Sequence, residues 1–219
     1  MRRSLRAIGI LAALLLVGFI AFESYALWQA KQRTPDVLAA MSKGELDLSD
    51  VPPRRMAMLV KVENPNFFGH KGVDFSTPGA GMTTITQGLV KRFYFDRFRP
   101  GFAKIEQSLI ARFVLDPALP KRRQLQAYLN FTYLGSSKGR PVIGYADAAR
   151  TYYGQEFSQL SDREFLSLVA MTMAPNMLDP IRHRQANAER VRRIEAMLAG
   201  KCMPQGLRDV ALRACAQLA

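Results

Sequence analysis

The segment Val62-Glu63-Asn64-Pro65-Asn66-Phe67-Phe68-Gly69-His70-Lys71-Gly72-Val73-Asp74 sets two carboxylates, an aromatic pair and an imidazole close together, with two glycines among them. An apolar stretch with Met56, Met58, Leu59 and Val62 leads into it, so residues 54–62 read as a buried helix that ends at Glu63. Apolar surroundings raise a carboxyl pKa, which suits a general base or acid near neutral pH. The plainer alternative makes Glu63 a helix-terminal residue in a surface ion pair. His70 taken alone is more often a structural hydrogen-bonding group than a catalyst, and Asp74 reads as a loop or helix cap.

Upstream, Arg2, Arg3 and Arg6 precede an apolar run over residues 7–22; Glu23 and Ser24 interrupt it, and Tyr25, Leu27 and Trp28 follow. About 20 such residues can cross a bilayer. The arginines would stay cytoplasmic, Tyr25 and Trp28 would sit at the far interface, and the body of the chain would be exported. The same run also fits a cleaved signal peptide, with Ser24-Tyr25-Ala26 as the cleavage site. No cysteine follows the run, which argues against a lipoprotein. The 219 residues, 48% of them hydrophobic, suit one well-buried domain. Lys and Arg number 31 against 18 Asp and Glu, a net charge of +13 that favours anionic partners. Export removes nucleic acid from these partners and leaves a membrane face or a phosphate-bearing substrate. Cys202 and Cys215 can pair across a short C-terminal helical hairpin in an oxidising compartment, or remain two buried thiols. Their spacing does not suggest a metal site.

The other elements are helical. Residues 29–49 read as a polar helical stalk and 75–82 as a loop. Helices are expected over 83–95, 104–115, 121–133, 143–153, 185–198 and 205–218. Ser161-Asp162-Arg163-Glu164 is a capping box. It opens a helix that is nearly all apolar up to Met173 and should be the centre of the domain. Strand alternation is absent except near Pro141-Val142-Ile143.

A second chemical segment is Gly81-Met82-Thr83-Thr84-Ile85-Thr86-Gln87-Gly88-Leu89-Val90-Lys91-Arg92. Threonines and free backbone N–H groups at a helix start suit an anion such as pyrophosphate, and Lys91 and Arg92 add charge. Ordinary N-capping beside a solvated basic end explains it equally well. Together the two segments resemble, in order, the E-D-x-x-F-x-x-H-x-G-x-D and G-G-S-T-I-T-Q-Q-L-x-K signatures of peptidoglycan glycosyltransferases. This is the family 51 transglycosylase domain of class A penicillin-binding proteins and their monofunctional relatives. Gln124 to Gly135 resembles that family's I-L-E-x-Y-L-N-x-x-Y-x-G, and Ile143 to Gly154 its G-x-x-A-A-x-x-Y-F-G. Residues 160–175 resemble the alanine-rich helix that follows.

The resemblance implies a mainly α, lysozyme-like glycosyltransferase domain with an N-terminal transmembrane helix. The anchor is then 1–28, the stalk 29–53, the transglycosylase domain 54–200 and a helical tail 201–219. It implies polymerisation of lipid II at the bacterial inner membrane, with transfer by inversion and release of undecaprenyl pyrophosphate. The catalytic residues implied are Glu63 and Glu106. Those implied to bind substrate are Asn64, Phe67, His70, Thr84, Gln87, Lys91, Arg92, Lys104 and Asn130. The partners implied are lipid II, the growing glycan chain, the membrane and other cell-wall synthesis proteins. No cofactor is required, although the resemblance allows a divalent cation.

Departures from the pattern are concentrated at the site. Asn64 replaces the Asp beside the catalytic Glu. Gly88 replaces a Gln, at about 1 kcal/mol of helix propensity against Ala. Gln126 replaces a Glu, and the loop between the first two motifs is short. In Ala103-Lys104-Ile105-Glu106-Gln107 only the Lys of the third motif, R-K-x-x-E, keeps its place. Its second carboxylate then falls on Ser108, Gln107 or Glu106, according to register. These departures also fit a degenerate homologue that binds lipid II or glycan as a scaffold. A glycan-cleaving lysozyme-type enzyme sharing the fold is a further alternative. A cleft holding no carboxylate besides Glu63 would weigh against catalysis.

Overall fold

In the computed structural model, residues 2–218 are described. Helix α1 covers Arg2–Met41. Its first part carries large apolar side chains fully in the open, Leu14, Leu15, Val17 and Phe22 among them, and it is long and apolar enough to cross a membrane. The expected polar stalk is the continuation of the same helix, and it packs on the domain. Ala30, Thr34, Val37 and Met41 are buried at helical spacing, and the Thr34 hydroxyl meets the Tyr94 hydroxyl at 3.0 Å. The anchor is thereby joined to the core without a free linker.

Helix α2, Pro53–Glu63, begins on a proline that needs no intrahelical N–H partner. It is followed by α3 (Ile85–Phe93) and α4 (Phe102–Ile110). The expected continuous helix 104–115 changes register at a π-helical turn, Ala111–Leu115, ahead of a short α5, Asp116–Ala118. Pro117 explains the change: it offers no N–H, and its ring crowds the carbonyl four residues earlier. Then come α6 (Lys121–Phe131) and a hairpin of β1 (Tyr133–Ser137) and β2 (Arg140–Ile143). The hairpin is antiparallel, pairs Ser137 with Arg140, and turns through Lys138 and Gly139, both at positive φ. Strand β1 was not expected; its Gly135-Ser136-Ser137 carries none of the β-branched alternation that marks a strand.

Helices α7 (Tyr145–Tyr153), α8 (Asp162–Met171) and α9 (Arg184–Leu198) complete the α-rich body. Helix α8 lies where an all-apolar helix must. Residues Phe165 to Met171 are buried in unbroken succession, and the Ser161–Glu164 capping box closes its start. Tyr145, Phe157 and Phe165 form an aromatic triangle with centroids 5.8 to 6.5 Å apart. Arg55 of α2 binds Asp162 at 3.1 Å and reaches the Phe157 and Leu160 carbonyls, tying α2 to the entry of α8.

The expected helix 205–218 does not form. The Cys202–Cys215 disulfide does form, but it closes an irregular loop and a short 3-10 turn, Arg213–Leu218, not a helical hairpin. Left-handed backbone at Gly206 and Leu212 interrupts a continuous helix here, and the apolar residues Leu212 and Cys215 are drawn into the core. Ala219 of the expected tail and Met1 of the anchor lie outside the described residues.

Truncating Phe165→Ala is expected to cost about 3–5 kcal/mol of stability. Ser161→Ala should cost about 1 kcal/mol through the lost cap. Denaturant midpoints of the detergent-solubilised chain measure both.

Candidate active site

Glu63 ends α2 at the floor of a cleft of about 740 Å³. Two hydroxyls hold its carboxylate. Tyr128 of α6 donates to Oε2 at 2.8 Å, and Thr172, just past α8, donates to Oε1 at 2.5 Å. Burial pushes the Glu63 carboxyl above the usual range; the two hydrogen bonds and the Arg190 guanidinium pull the other way. Arg190 lines the same cleft from α9 and is buried, with Nε and Nη1 lacking any hydrogen-bond partner among the described residues. Burial lowers its pKa to about 10, against the field of Glu63 that favours its charge.

The cleft brings together Glu63, Thr84, Lys91 and Arg92 of the expected site residues. Lys104 joins them indirectly, donating to the hydroxyl of the cleft residue Thr83 at 2.8 Å. Burial, and then the nearby positive charge of Lys91, lowers Lys104 to about 8. Lys91 also lies over the Phe98 ring, 5.2 Å from its centroid.

Asn64, Phe67, His70, Gln87 and Asn130 lie outside the cleft lining and build the frame behind it. The fully buried Asn64 accepts from His70 Nε2 at 2.8 Å and from the Ile85 N–H at 3.4 Å, joining the segment after α2 to the start of α3. Lys121 lies 3.5 Å from His70 Nδ1 and 4.6 Å from the Phe67 ring centroid. Burial first, and then Lys121, hold His70 down at about 4, so it is a neutral donor at physiological pH. Burial works against the charge of Asp74, but hydrogen bonds from Thr77 and Ser76 outweigh it and take the group to about 2. This is the cap that the sequence suggested. Asn130 grips both the N–H and the carbonyl of Leu46, each at 2.8 Å.

The start of α3 is closed by its own capping box. The Thr84 hydroxyl accepts from the Gln87 N–H, the Gln87 side chain accepts from the Thr84 N–H, and the Thr84 hydroxyl donates to the Gly72 carbonyl at 2.7 Å. An anion here would therefore meet side-chain cations more than open backbone N–H groups. Among the three register candidates for a second carboxylate, Gln107 and Ser108 are both engaged with Gln87. Glu106 does not line the cleft; it lies within the field of Glu23 on α1, and burial raises its own carboxyl. The other carboxylate lining the cleft is the exposed Asp96, which sequence reasoning passed over. Tyr128 falls within the motif from Gln124 to Gly135 but was not expected as a site residue. Thr172 and Arg190 sit on distant elements and carry no local signal. The described residues include no group of three or more His, Cys, Asp or Glu that could hold a metal ion.

Gly88 opens the cleft floor. A Cβ there would meet nothing nearer than Tyr128 at 3.9 Å, so the missing side chain widens the space beside Glu63.

A carboxyl whose folded pKa is raised binds its proton more tightly in the folded state, so stability falls as pH rises through the raised value. Glu63→Gln removes that loss. The variant should melt close to the parent at acid pH and above it at pH 8, as thermal unfolding across that range will show.

The transglycosylase family model matches residues 32–199 of the chain. Among relatives, a provisionally named transglycosylase of Cupriavidus necator is 27% identical, over 92% of this chain and 93% of its own length. Penicillin-binding protein 1B of Vibrio cholerae is 25% identical over 80% of this chain, and penicillin-binding protein 1A of Neisseria flavescens 27% over 76%. The chain spans only 23% and 22% of those two proteins' length. With a lysozyme-like, mainly α domain whose cleft holds the half-buried Glu63, the chain belongs to the family 51 transglycosylases, whose chemistry is glycosyl transfer.

Proposed function

We propose that this chain polymerises lipid II into glycan strands, with Glu63 as the general base. The observation that carries this reading is a carboxylate with a raised pKa, held by Tyr128 and Thr172 in the same cleft as Lys91 and Arg92. Glu63 takes the proton from the 4-hydroxyl of the acceptor sugar. That oxygen attacks the anomeric carbon of the donor from the face opposite the pyrophosphate, so configuration inverts. The bond to undecaprenyl pyrophosphate breaks, and Lys91, Arg92 and Lys104 offset the charge that develops on it. Since Glu106 lies outside the cleft lining, it is these cations, and not Glu106, that assist the leaving group.

The apolar part of α1 makes this a membrane-anchored protein. On our reading it crosses the inner membrane once and carries its domain on the outer face, where disulfides persist and lipid-linked sugars are presented. The growing strand and other cell-wall synthesis proteins are then its neighbours, and nucleic acid is not among its partners. The position of Glu106 also supports a second reading, a catalytically silent homologue that binds lipid II as a scaffold.

Purified protein incubated with lipid II and resolved on a gel separates the readings. Polymer that falls about 10²–10⁴-fold in rate with Glu63→Gln, lipid II binding being retained, supports the base. Binding without polymer from the parent chain supports the scaffold, and shortening of preformed glycan points to cleavage. A further outcome concerns Lys104, which is charged below about pH 8 and loses its charge above it. Affinity for undecaprenyl pyrophosphate should fall as pH rises past 8 in the parent and stay level in Lys104→Arg.

A further inference from the structure

The tail beyond α9 falls outside the matched family region, which ends at residue 199. It nevertheless reaches the cleft. The Gly79 N–H donates to the Gly206 carbonyl at 3.0 Å, and the Gly81 N–H to the Leu207 carbonyl at 2.9 Å. Both glycines have positive φ, and a Cβ on either would lie 2.7 Å from the tail, against Pro204 and Val210 respectively. Loop and tail are therefore in direct backbone contact, which admits no side chain at these two positions. Behind the contact, Leu212 and Cys215 are buried, Arg193 of α9 donates to the Ala211 carbonyl, and the Cys202–Cys215 bond closes the segment.

The loop braced in this way is a wall of the cleft. Gly79, Ala80, Gly81 and Met82 line the space that holds Glu63, and so does Val210 of the tail. Within the loop, the Ala80 N–H has a local partner in the Thr77 carbonyl, whereas Gly79 and Gly81 depend on the tail. A short loop without regular structure stays in one place only while such contacts hold it.

We infer that the disulfide-closed tail is a working part of the substrate site: residues 204–210 and the loop 79–82 together form one wall that sets how tightly the lipid-linked sugar is held. The ligand named here rests on the function proposed above; the wall itself does not. Cutting the disulfide frees the tail to detach. The loop then loses two of its hydrogen bonds and the cleft loses Val210, while Glu63 and its hydroxyl partners stay where they are. Substrate affinity should suffer and the chemical step should not.

The test compares the full-length protein with Cys202→Ser/Cys215→Ser and, separately, Val210→Trp, which keeps the disulfide but narrows the cleft. In the double variant, hydrogen exchange at the Gly79 and Gly81 amides should quicken about tenfold or more while α8 stays protected. KM for lipid II should rise about three- to tenfold with kcat little changed, and Val210→Trp should raise KM with the disulfide intact. Unchanged exchange at Gly79 and Gly81 overturns the wall whatever the activity. Quickened exchange with unchanged KM in both variants overturns its role in binding. Should the double variant fail to fold, Val210→Trp decides, and an unchanged KM overturns the inference. If the parent chain makes no polymer, the proposed activity falls; the exchange measurement and the Kd for lipid II in place of KM then decide the inference separately.

Discussion

A carboxylate half-buried at the edge of an apolar core must find donors, and much of this structure can be traced to how Glu63 finds them. It stands at the end of α2, too far from α6 and α8 in sequence for any local rule to join them. The burial of α8 brings Thr172 within reach, and the packing of α6 does the same for Tyr128. Two hydroxyls satisfy the carboxylate's oxygens without supplying a full counter-charge. The group therefore keeps an elevated proton affinity, which a tight ion pair would have abolished. The apolar core, the position of α2 and the chemical character of Glu63 are thus one arrangement.

Residues that a motif marks as functional divide here into two kinds. Glu63, Thr84, Lys91 and Arg92 face the cleft. Asn64, Phe67, His70 and Gln87 hold it in shape from behind through buried hydrogen bonds and aromatic contacts. The Asn64 substitution is easily read in this light. At this buried position its amide oxygen accepts from His70 and from the start of α3 without bringing a charge to be desolvated. The residue is neutral where it acts as a brace. Glu106 presents the opposite case. A carboxylate that the motif offers for catalysis lies by α1, outside the cleft that Lys91 and Arg92 line.

The fold was largely legible because its signals are periodic. The apolar run of α1, the capping box and all-apolar pattern of α8, and the buried stripe of α2 each follow from residue order and the helical repeat. Legibility failed where contacts between distant residues outweigh local preference. Strand β1 exists because it pairs with β2. The tail over residues 205–218 has a helix-like apolar pattern but is bound into a loop by its disulfide and by the glycines of residues 79–81. The π-helical turn lies between. Pro117 is visible in the sequence, but whether it breaks, kinks or shifts the helix depends on what packs around it.

Sequence alone determined the chemical inventory: an apolar anchor, a helical domain, a glutamate after a buried helix, and a bank of cations two turns into the next motif. These follow from side-chain type and short spacing, which survive without a third dimension. Tertiary structure decided which groups share a space. Tyr128, Thr172 and Arg190 join Glu63, Glu106 is held away, and Val210 from the tail completes a wall. Burial, and with it the proton affinity of Glu63, His70 and Lys104, is set by everything that surrounds a group, and no stretch of neighbours along the chain contains that information.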